Sequence, residues 1–212
     1  MEKTNIAYKI LANPVIYRTF QRFVGGKQPK IYQILEKICQ DFLILRGRKP
    51  TLLDLGCGEG NLCHWISSYS NYYGVDYSEE YLAHAKNLYG TKGEFISLDF
   101  CSSKFDQLPN SLDIIVGIGL IHHLADEDIK KIQDNIINHH KNAIILTIDP
   151  VLLDRQHRIA KFMVSKDRGA FVRTLSQYQL LMPDYDYHLD NFCKIPYNHV
   201  LFYRNIDLNR YL

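Results

Sequence analysis

Five short apolar runs alternate with helical patterns in the first 150 residues, and this alternation constrains the fold more than any other feature. The runs span residues 51–56, 72–76, 94–100, 112–119 and 142–149. The segments between them repeat apolar residues at helical spacing, as in the helix predicted at 126–140. Parallel strands need such crossover connections. The sequence therefore predicts an α/β fold with a mostly parallel sheet covered on both faces.

The chain outside these five runs adds helices and a second kind of strand. A helix is predicted at 31–45, before the first strand, and two more at 151–165 and 175–181. Two strand-like runs follow at 185–193 and 199–206. Strands this close in sequence pair as neighbours only by an antiparallel or hairpin-like route, so we expect a mixed sheet at this edge.

Length and composition fit a soluble globular protein. The chain has 212 residues, of which 46% are hydrophobic and 23% are charged. A chain of this length is expected to form one domain with a sizeable core. A net charge of +2 provides no field that would steer nucleic acid to the surface, so nucleic acid is not the expected partner.

Apolar runs and cysteines bear on the compartment. No run of 18 apolar residues is present, so no membrane partner is predicted. The N-terminus has no export signal of the usual pattern. Five scattered cysteines lack CxxC pairing, which favours free thiols in a reducing compartment, and we expect a cytoplasmic protein. The histidines show no ligand spacing, so no metal site is predicted.

A glycine-rich turn, DLGCGEG, follows the first predicted strand and precedes a helix. Gly56, Gly58 and Gly60 stand at alternate positions, unlike the G-x-G-x-x-G pattern that places a helix N-terminus against a pyrophosphate. Alternate glycines permit positive φ and a close approach of the main chain to an uncharged or zwitterionic ligand. A tight turn without a ligand is the alternative interpretation. For Asp54, a capping or turn role and a role in orienting the glycine loop are equally compatible with the sequence.

Acidic residues end the next two predicted strands. Asp76 closes the second strand, where its carboxylate can accept both hydroxyls of a ribose, and Tyr77 beside it can cover a base. At the end of the third strand, Asp99 offers an acceptor for an exocyclic amine, with Phe100 as an apolar neighbour. The carboxyl ends of parallel strands meet at one edge of the sheet. The sequence therefore predicts a nucleoside-binding crevice there.

Together these segments resemble the cofactor motifs of class I S-adenosylmethionine-dependent methyltransferases. The similar segments are DLGCGEGN, GVDYS, LDF and DIIVGIGLIHHL. The resemblance implies a Rossmann-like, doubly wound, seven-stranded sheet with an antiparallel strand at the edge. It implies S-adenosylmethionine as cofactor and S-adenosylhomocysteine as product. It also divides the single domain into an N-terminal part with a lid (1–48), a cofactor core (49–150) and an acceptor side (151–212).

The resemblance also assigns roles to individual residues. The implied cofactor-binding residues are Arg18, Asp54, Gly56, Cys57, Gly58, Asn61, Asp76, Tyr77, Ser78, Asp99, Phe100, Gly117, Ile118 and Gly119. His122 and His123 lie close to the acceptor, and His122 is the predicted base. The implied acceptor-binding residues are Tyr17, Asp149, Arg168, Arg173, Tyr178 and Tyr197.

The histidines and arginines assigned to the acceptor side also have simpler interpretations. The two histidines can satisfy nearby backbone groups or begin the next helix, and the arginines can be solvated or paired with surface carboxylates. Facing the crevice, Arg168 and Arg173 would suit a carboxylate or phosphate on the acceptor. The predicted reaction is methyl transfer to an oxygen or nitrogen of a small molecule, such as a saccharide or secondary metabolite. The alternatives are a non-catalytic cofactor-binding module and a nicotinamide-dependent oxidoreductase.

Overall fold

A computed structural model of the protein describes residues 29–99, 107–165, 169–190 and 198–212. In these ranges seven strands form one sheet in the order β3-β2-β1-β4-β5-β7-β6. The strands are β1 (Thr51–Leu55), β2 (Asn71–Asp76), β3 (Gly93–Ser97), β4 (Ile114–Ile118), β5 (Ile144–Pro150), β6 (Asp186–Asp190) and β7 (His199–Arg204).

The sheet has a parallel part and a mixed edge. Strands β1 to β5 pair in parallel, and the order reverses between β1 and β4. Strand β7 runs antiparallel to both β5 and β6, so β6 returns to the common direction at the edge. This confirms the predicted seven-stranded, doubly wound sheet with antiparallel pairing at its edge, and it locates the antiparallel strand one position in from the end.

The α-helices within the described ranges are α1 (Lys30–Arg46), α2 (Asn61–Ile66), α3 (Glu79–Tyr89), α4 (Asp126–Asn135), α5 (Arg158–Ser165) and α6 (Leu175–Leu181). Short 3-10 helices lie at Ile121–His123, Ile137–His140 and Leu208–Arg210. None of these helices has the length and apolar character needed to cross a membrane.

Both faces of the sheet are buried, because successive side chains of a strand point to opposite faces. Leu52 packs with α1 and α2 through residues such as Leu35 and Ile66. Its neighbour Leu53 packs on the other face with Ile132 of α4 and with Ile145. The two layers hold β1 and β4 rigidly in the centre, so the turns that follow these strands have fixed positions.

Two predicted helices differ from the structure. The helix predicted at 151–165 begins only at Arg158, because the main chain of Val151 and Leu152 donates to carbonyls of Asn198 and Arg173 and stays extended. The helix predicted at 126–140 ends at Asn135. Ile136 and Ile137 are both buried, and a 3-10 helix begins at Ile137.

Candidate cofactor and acceptor site

The candidate site residues gather at the carboxyl edge of the parallel strands. Leu55 at the end of β1 pairs with Val75 of β2 and with Gly117 of β4. The turns that follow these three strands therefore leave the sheet side by side, at the position where the strand order reverses. Ligands of open α/β sheets bind in such a crevice.

The glycine loop has a conformation that other residues adopt only with strain. Gly56, Gly58 and Gly60 have φ of +70°, +52° and +75°. A Cβ on Gly56 would lie 2.9 Å from Leu120, and one on Gly60 would lie 2.8 Å from Phe95. A Cβ on Gly58 would meet no atom within 4 Å. The outer two glycines thus let the loop pack against the protein, while the middle one exposes main chain to open space.

Asp76 ties the glycine loop to the start of α3. Its Oδ2 accepts the N–H of Gly58 at 2.9 Å, and its Oδ1 accepts the N–H of Ser78 at 2.9 Å. The side chain of Ser78 in turn accepts the N–H of Tyr81 as the N-cap of α3. An ionised carboxylate has about four acceptor positions, so Asp76 can accept further bonds from vicinal hydroxyls. The residues present thus fit an S-adenosyl nucleoside.

Asp54 lies in β1, two residues before the glycine loop, and faces the interior of the protein. Its side chain is buried and accepts the hydroxyl of Tyr72 at 2.6 Å. Burial raises the pKa of this carboxyl to about 7, the Tyr72 hydrogen bond opposes the rise, and the charge of Asp76 adds to it. This hydrogen bond joins β1 to β2 within the sheet and is not a helix-cap contact. A role for Asp54 in orienting the glycine loop stays a prediction.

The other predicted cofactor residues surround this centre. Cys57 is a buried residue of the loop itself, and Asn61 is the exposed first residue of α2. Tyr77 is 79% exposed beside Asp76, and Asp99 is exposed two residues past β3. Gly117 and Ile118 are the last two residues of β4. Gly119 follows the strand with a φ of +65°.

A histidine and a carboxylate meet at the ends of β4 and β5. His122 lies in the 3-10 helix after β4, and Asp149 is the next-to-last residue of β5. The Nδ1 atom of His122 lies 2.7 Å from Oδ1 of Asp149, which also accepts the His122 main-chain N–H at 3.0 Å. Both side chains are buried. Burial raises the pKa of the Asp149 carboxyl, and the His122 hydrogen bond and charge oppose this.

His123 differs from His122 although the two rings are neighbours. Their centroids lie 4.1 Å apart, but His123 is exposed. The carboxylate contact that orients His122 makes it the better candidate for a base.

Two predicted acceptor-binding residues need correction. Arg173 is 6% exposed, and its five N–H donors contact Asp126 and the carbonyls of Ile121, Leu124 and Phe171. None of these donors is left for an anion on an acceptor. Tyr178 is 1% exposed and donates its hydroxyl to the carbonyl of Pro150. It is a core residue packed beside Phe202 and not a wall of a pocket.

Some predicted residues lie outside the described ranges. These are Tyr17, Arg18, Phe100, Arg168 and Tyr197.

We call the part of the site around His122 and Asp149 the acceptor end, and the part around the glycine loop and Asp76 the cofactor end. The sequence did not predict which side chains pair at the acceptor end. His122 and Asp149 were both predicted site residues, but nothing in the sequence indicated that they are partners 27 positions apart. The Arg173–Asp126 pair, 47 positions apart, was also missed. The position of Asp149 at the end of a strand beside β4 is the one signal that could have linked it to His122.

The chain is similar to known methyltransferases. Residues 52–143 match a protein family described as "Methyltransferase domain". An uncharacterised methyltransferase of Bacillus cytotoxicus is 27% identical in an alignment of 163 residues that covers 71% of each chain. The match to the family covers the glycine loop, Asp76 and the 3-10 helix that carries His122.

Solved structures resemble the fold. The plantazolicin methyltransferase BpumL, in complex with S-adenosylhomocysteine and a triazolic desmethylPZN analogue, aligns with a TM-score of 0.61 at 18% identity over 93% of both chains. The mitomycin 7-O-methyltransferase MmcR aligns with a TM-score of 0.63 at 17% identity, over 94% of this chain and 60% of its own. Residues 52–143 thus match a methyltransferase domain, and the chain has the fold of class I methyltransferases. Together with the crevice described above, these findings support an S-adenosylmethionine-dependent methyltransferase.

Proposed function

We propose that this enzyme methylates an oxygen or nitrogen atom of a small-molecule acceptor, with the His122–Asp149 pair as its base. The observation that carries the proposal is the buried contact of 2.7 Å between Nδ1 of His122 and Asp149, one strand away from the glycine loop. We propose a saccharide or a secondary metabolite as the acceptor. The names of the two structural relatives, a plantazolicin methyltransferase and a mitomycin 7-O-methyltransferase, support a metabolite acceptor.

The cofactor end would hold the aminoacyl and nucleoside parts of the cofactor separately. In this proposal the main chain at Gly56 and Gly58 approaches the methionine part, and Asp76 accepts the ribose hydroxyls. Tyr77 covers the adenine, and Asp99 accepts from its amine. The turn from Gly117 to Gly119 lies between this region and His122, because it joins β4 to the 3-10 helix.

The proposed chemistry needs positioning and one proton transfer. Bound S-adenosylmethionine supplies a methyl group activated by a sulfonium, which leaves as a neutral thioether. Orienting the acceptor accounts for several kcal/mol, up to roughly 7–11 kcal/mol. A proton lost by an acceptor hydroxyl or ammonium passes to Nε2 of His122, because the tautomer that donates from Nδ1 to Asp149 carries its basic lone pair on Nε2. A base so placed contributes about 10²–10⁴-fold.

Two measurements on the wild-type chain and an Asp76→Ala variant test this function. Calorimetry should detect S-adenosylhomocysteine binding to the wild type, no binding of NADH, and a loss of affinity in the variant. Incubation with S-adenosylmethionine labelled in its methyl group should transfer label to small hydroxyl- or amine-bearing metabolites. Binding without transfer to any metabolite pool would indicate a non-catalytic module, and preferential NADH binding would indicate an oxidoreductase. Unchanged affinity in Asp76→Ala would refute the cofactor site.

A further inference from the structure

Arg173 is a buried arginine, and two of the five hydrogen bonds of its guanidinium go to the turn that carries His122. Nη1 donates to the carbonyl of Ile121 at 3.2 Å, and Nη2 donates to the carbonyl of Leu124 at 2.7 Å. These two carbonyls bracket His122 in the chain. Nε and Nη2 also contact Asp126, the first residue of α4. The planar fork therefore fixes both ends of the 3-10 helix and the helix that follows it.

The main chain on either side of Arg173 reinforces this connection. The N–H of Phe171 donates to the carbonyl of His122 at 3.0 Å. Gly169 lies so near that a Cβ there would be 2.0 Å from Cδ2 of His122 and 2.6 Å from its carbonyl oxygen. The segment from Gly169 to Arg173 thus packs directly against His122, and only glycine fits at its start.

The same segment also reaches the strand that carries Asp149. The carbonyl of Arg173 accepts the N–H of Leu152 at 3.0 Å, and Leu152 forms a bridge with Thr174. Leu152 is three residues beyond Asp149, in the extended chain that continues β5. One residue therefore connects the turn of His122, through its side chain, with the continuation of β5, through its main chain.

We propose that Arg173 is a positioning residue, which holds His122 and Asp149 at the separation where their hydrogen bond forms. The inference rests on the proposed function for its catalytic consequence, because it assumes that His122 is the base. Its structural content is independent of the acceptor. The guanidinium satisfies three carbonyls and one carboxylate at once, which a lysine at this position cannot do because an ammonium lacks the planar fork.

The experiment is an NMR measurement of the His122 ring in the full chain saturated with S-adenosylhomocysteine. Wild type should show a downfield, slowly exchanging Nδ1–H proton and a ring fixed in the tautomer with that proton. Arg173→Lys should weaken or abolish this resonance and mix the tautomers, with S-adenosylhomocysteine affinity within about twofold of wild type. Turnover, measured once an acceptor is known, should fall by about 10²-fold at an unchanged KM for S-adenosylmethionine, since a misplacement of about 1 Å has this effect.

Two further variants and a control keep the test decisive if Arg173→Lys does not fold. Gly169→Ala should displace the ring and remove the same resonance, and Asp126→Asn should weaken it less because the carbonyl contacts remain. Asp128→Asn is the matched control: it removes an acid from the same first turn of α4, one that pairs with Lys131 and not with Arg173. We expect Asp128→Asn to match wild type.

Retention of the resonance and tautomer in Arg173→Lys, or in both Gly169→Ala and Asp126→Asn, would overturn the proposal even if thermal stability fell. Such a result would leave Arg173 a purely structural residue. Absence of the Nδ1–H signal in wild type would overturn it as well. A failure of the proposed function is distinguishable from these results. In that case wild type would not bind S-adenosylhomocysteine or would not transfer the labelled methyl group.

Discussion

The cofactor end and the acceptor end share one edge of the sheet but are built differently. At the cofactor end, Gly58 and Asp76 are 18 positions apart, and the hydrogen bonds of Asp76 come from main-chain N–H groups. At the acceptor end, His122, Asp149 and Arg173 come from three separate segments: the side chains of His122 and Asp149 meet, and the Arg173 side chain bonds to carbonyls of the turn that carries His122. The first construction depends on backbone conformation and the second on side-chain geometry. We therefore expect that the acceptor end can change without disturbing the cofactor end.

The sharpest test of this separation is Asp149→Asn, for which we expect the largest effect. Loss of the carboxylate removes the group that orients and stabilises the charged form of His122, so methyl transfer to an acceptor that loses a proton should fall by about 10²–10⁴-fold. Affinity for S-adenosylhomocysteine should stay within about twofold. Labelled methyl transfer and calorimetry measure the two quantities. A parallel loss of cofactor affinity would contradict the separation of the two ends.

Stability should respond in the opposite direction to activity in this variant. Burial raises the pKa of Asp149, so the native state binds its proton more tightly than the unfolded state. This tighter proton binding stabilises the native state at low pH, and the stabilisation is lost as pH rises through the native pKa of Asp149. The asparagine amide does not ionise, so the variant does not lose this stability at high pH. We therefore expect the free energy of unfolding of Asp149→Asn, measured in urea at pH 8, to be at least that of wild type.

Asp54 differs from Asp76 at the cofactor end. Its buried carboxyl is bonded to the side chain of Tyr72, whereas Asp76 is bonded to main-chain N–H groups. A pKa raised from 3.8 to about 7 means that the native state loses stability as pH rises from about 4 to about 7. The loss is at most about 4 kcal/mol, since one pKa unit corresponds to about 1.4 kcal/mol. Asp54→Asn should be equal to wild type near pH 4 and more stable at pH 8, as measured by urea denaturation.

Asp113→Asn is the control, because the pKa of Asp113 is lowered where that of Asp54 is raised. Burial raises the pKa of Asp113, but the hydrogen bonds from Arg48 and the main chain of Thr51 and the charge of Arg48 outweigh this and lower it. Its stabilising effect is therefore present at neutral pH and lost on acidification. Asp113→Asn should be less stable than wild type at pH 8 and should approach it in acid. If Asp54→Asn followed the same course, the raised pKa of Asp54 would be refuted.

The sequence predicted the cofactor end well for a physical reason. Glycines at alternate positions after a strand, and an acid at the end of the next strand, are local patterns whose geometry follows from the parallel sheet. Even there, the partner of Asp54 was not predictable. Tyr72 lies at the start of β2, and only the register of β1 and β2 brings its hydroxyl to that carboxylate.

The acceptor end was predicted in its residues but not in its connections. Periodicity extended a helix over Val151 and Leu152, although their N–H groups bond to Asn198 and Arg173. The spacing of apolar residues contains no information about such tertiary hydrogen bonds, which override local helix propensity. For the same reason Arg173 and Tyr178 were assigned to the acceptor, since their type suits anion or sugar binding. Their burial is decided by segments distant in sequence.

The smallest expected effect separates backbone strain from ligand contact at the cofactor end. Gly58 and Gly47 both have positive φ, +52° and +67°, and a Cβ at either would meet no protein atom within 4 Å. Alanine at either position should therefore lower the free energy of unfolding by about 1–2 kcal/mol, from left-handed backbone strain alone. Gly47 ends α1, on a helix remote from the strand-end turns, and serves as the matched control.

The two variants should differ in cofactor affinity. The methyl group of Gly58→Ala projects where we propose that the main chain approaches S-adenosylhomocysteine, so its Kd should rise by about tenfold, whereas Gly47→Ala should keep the wild-type Kd. Urea denaturation and calorimetry on both variants give the two quantities. Equal Kd values for the pair would mean that the ligand does not approach Gly58. The loop would then serve only to turn the chain, and the contrast between a main-chain cofactor end and a side-chain acceptor end would fail.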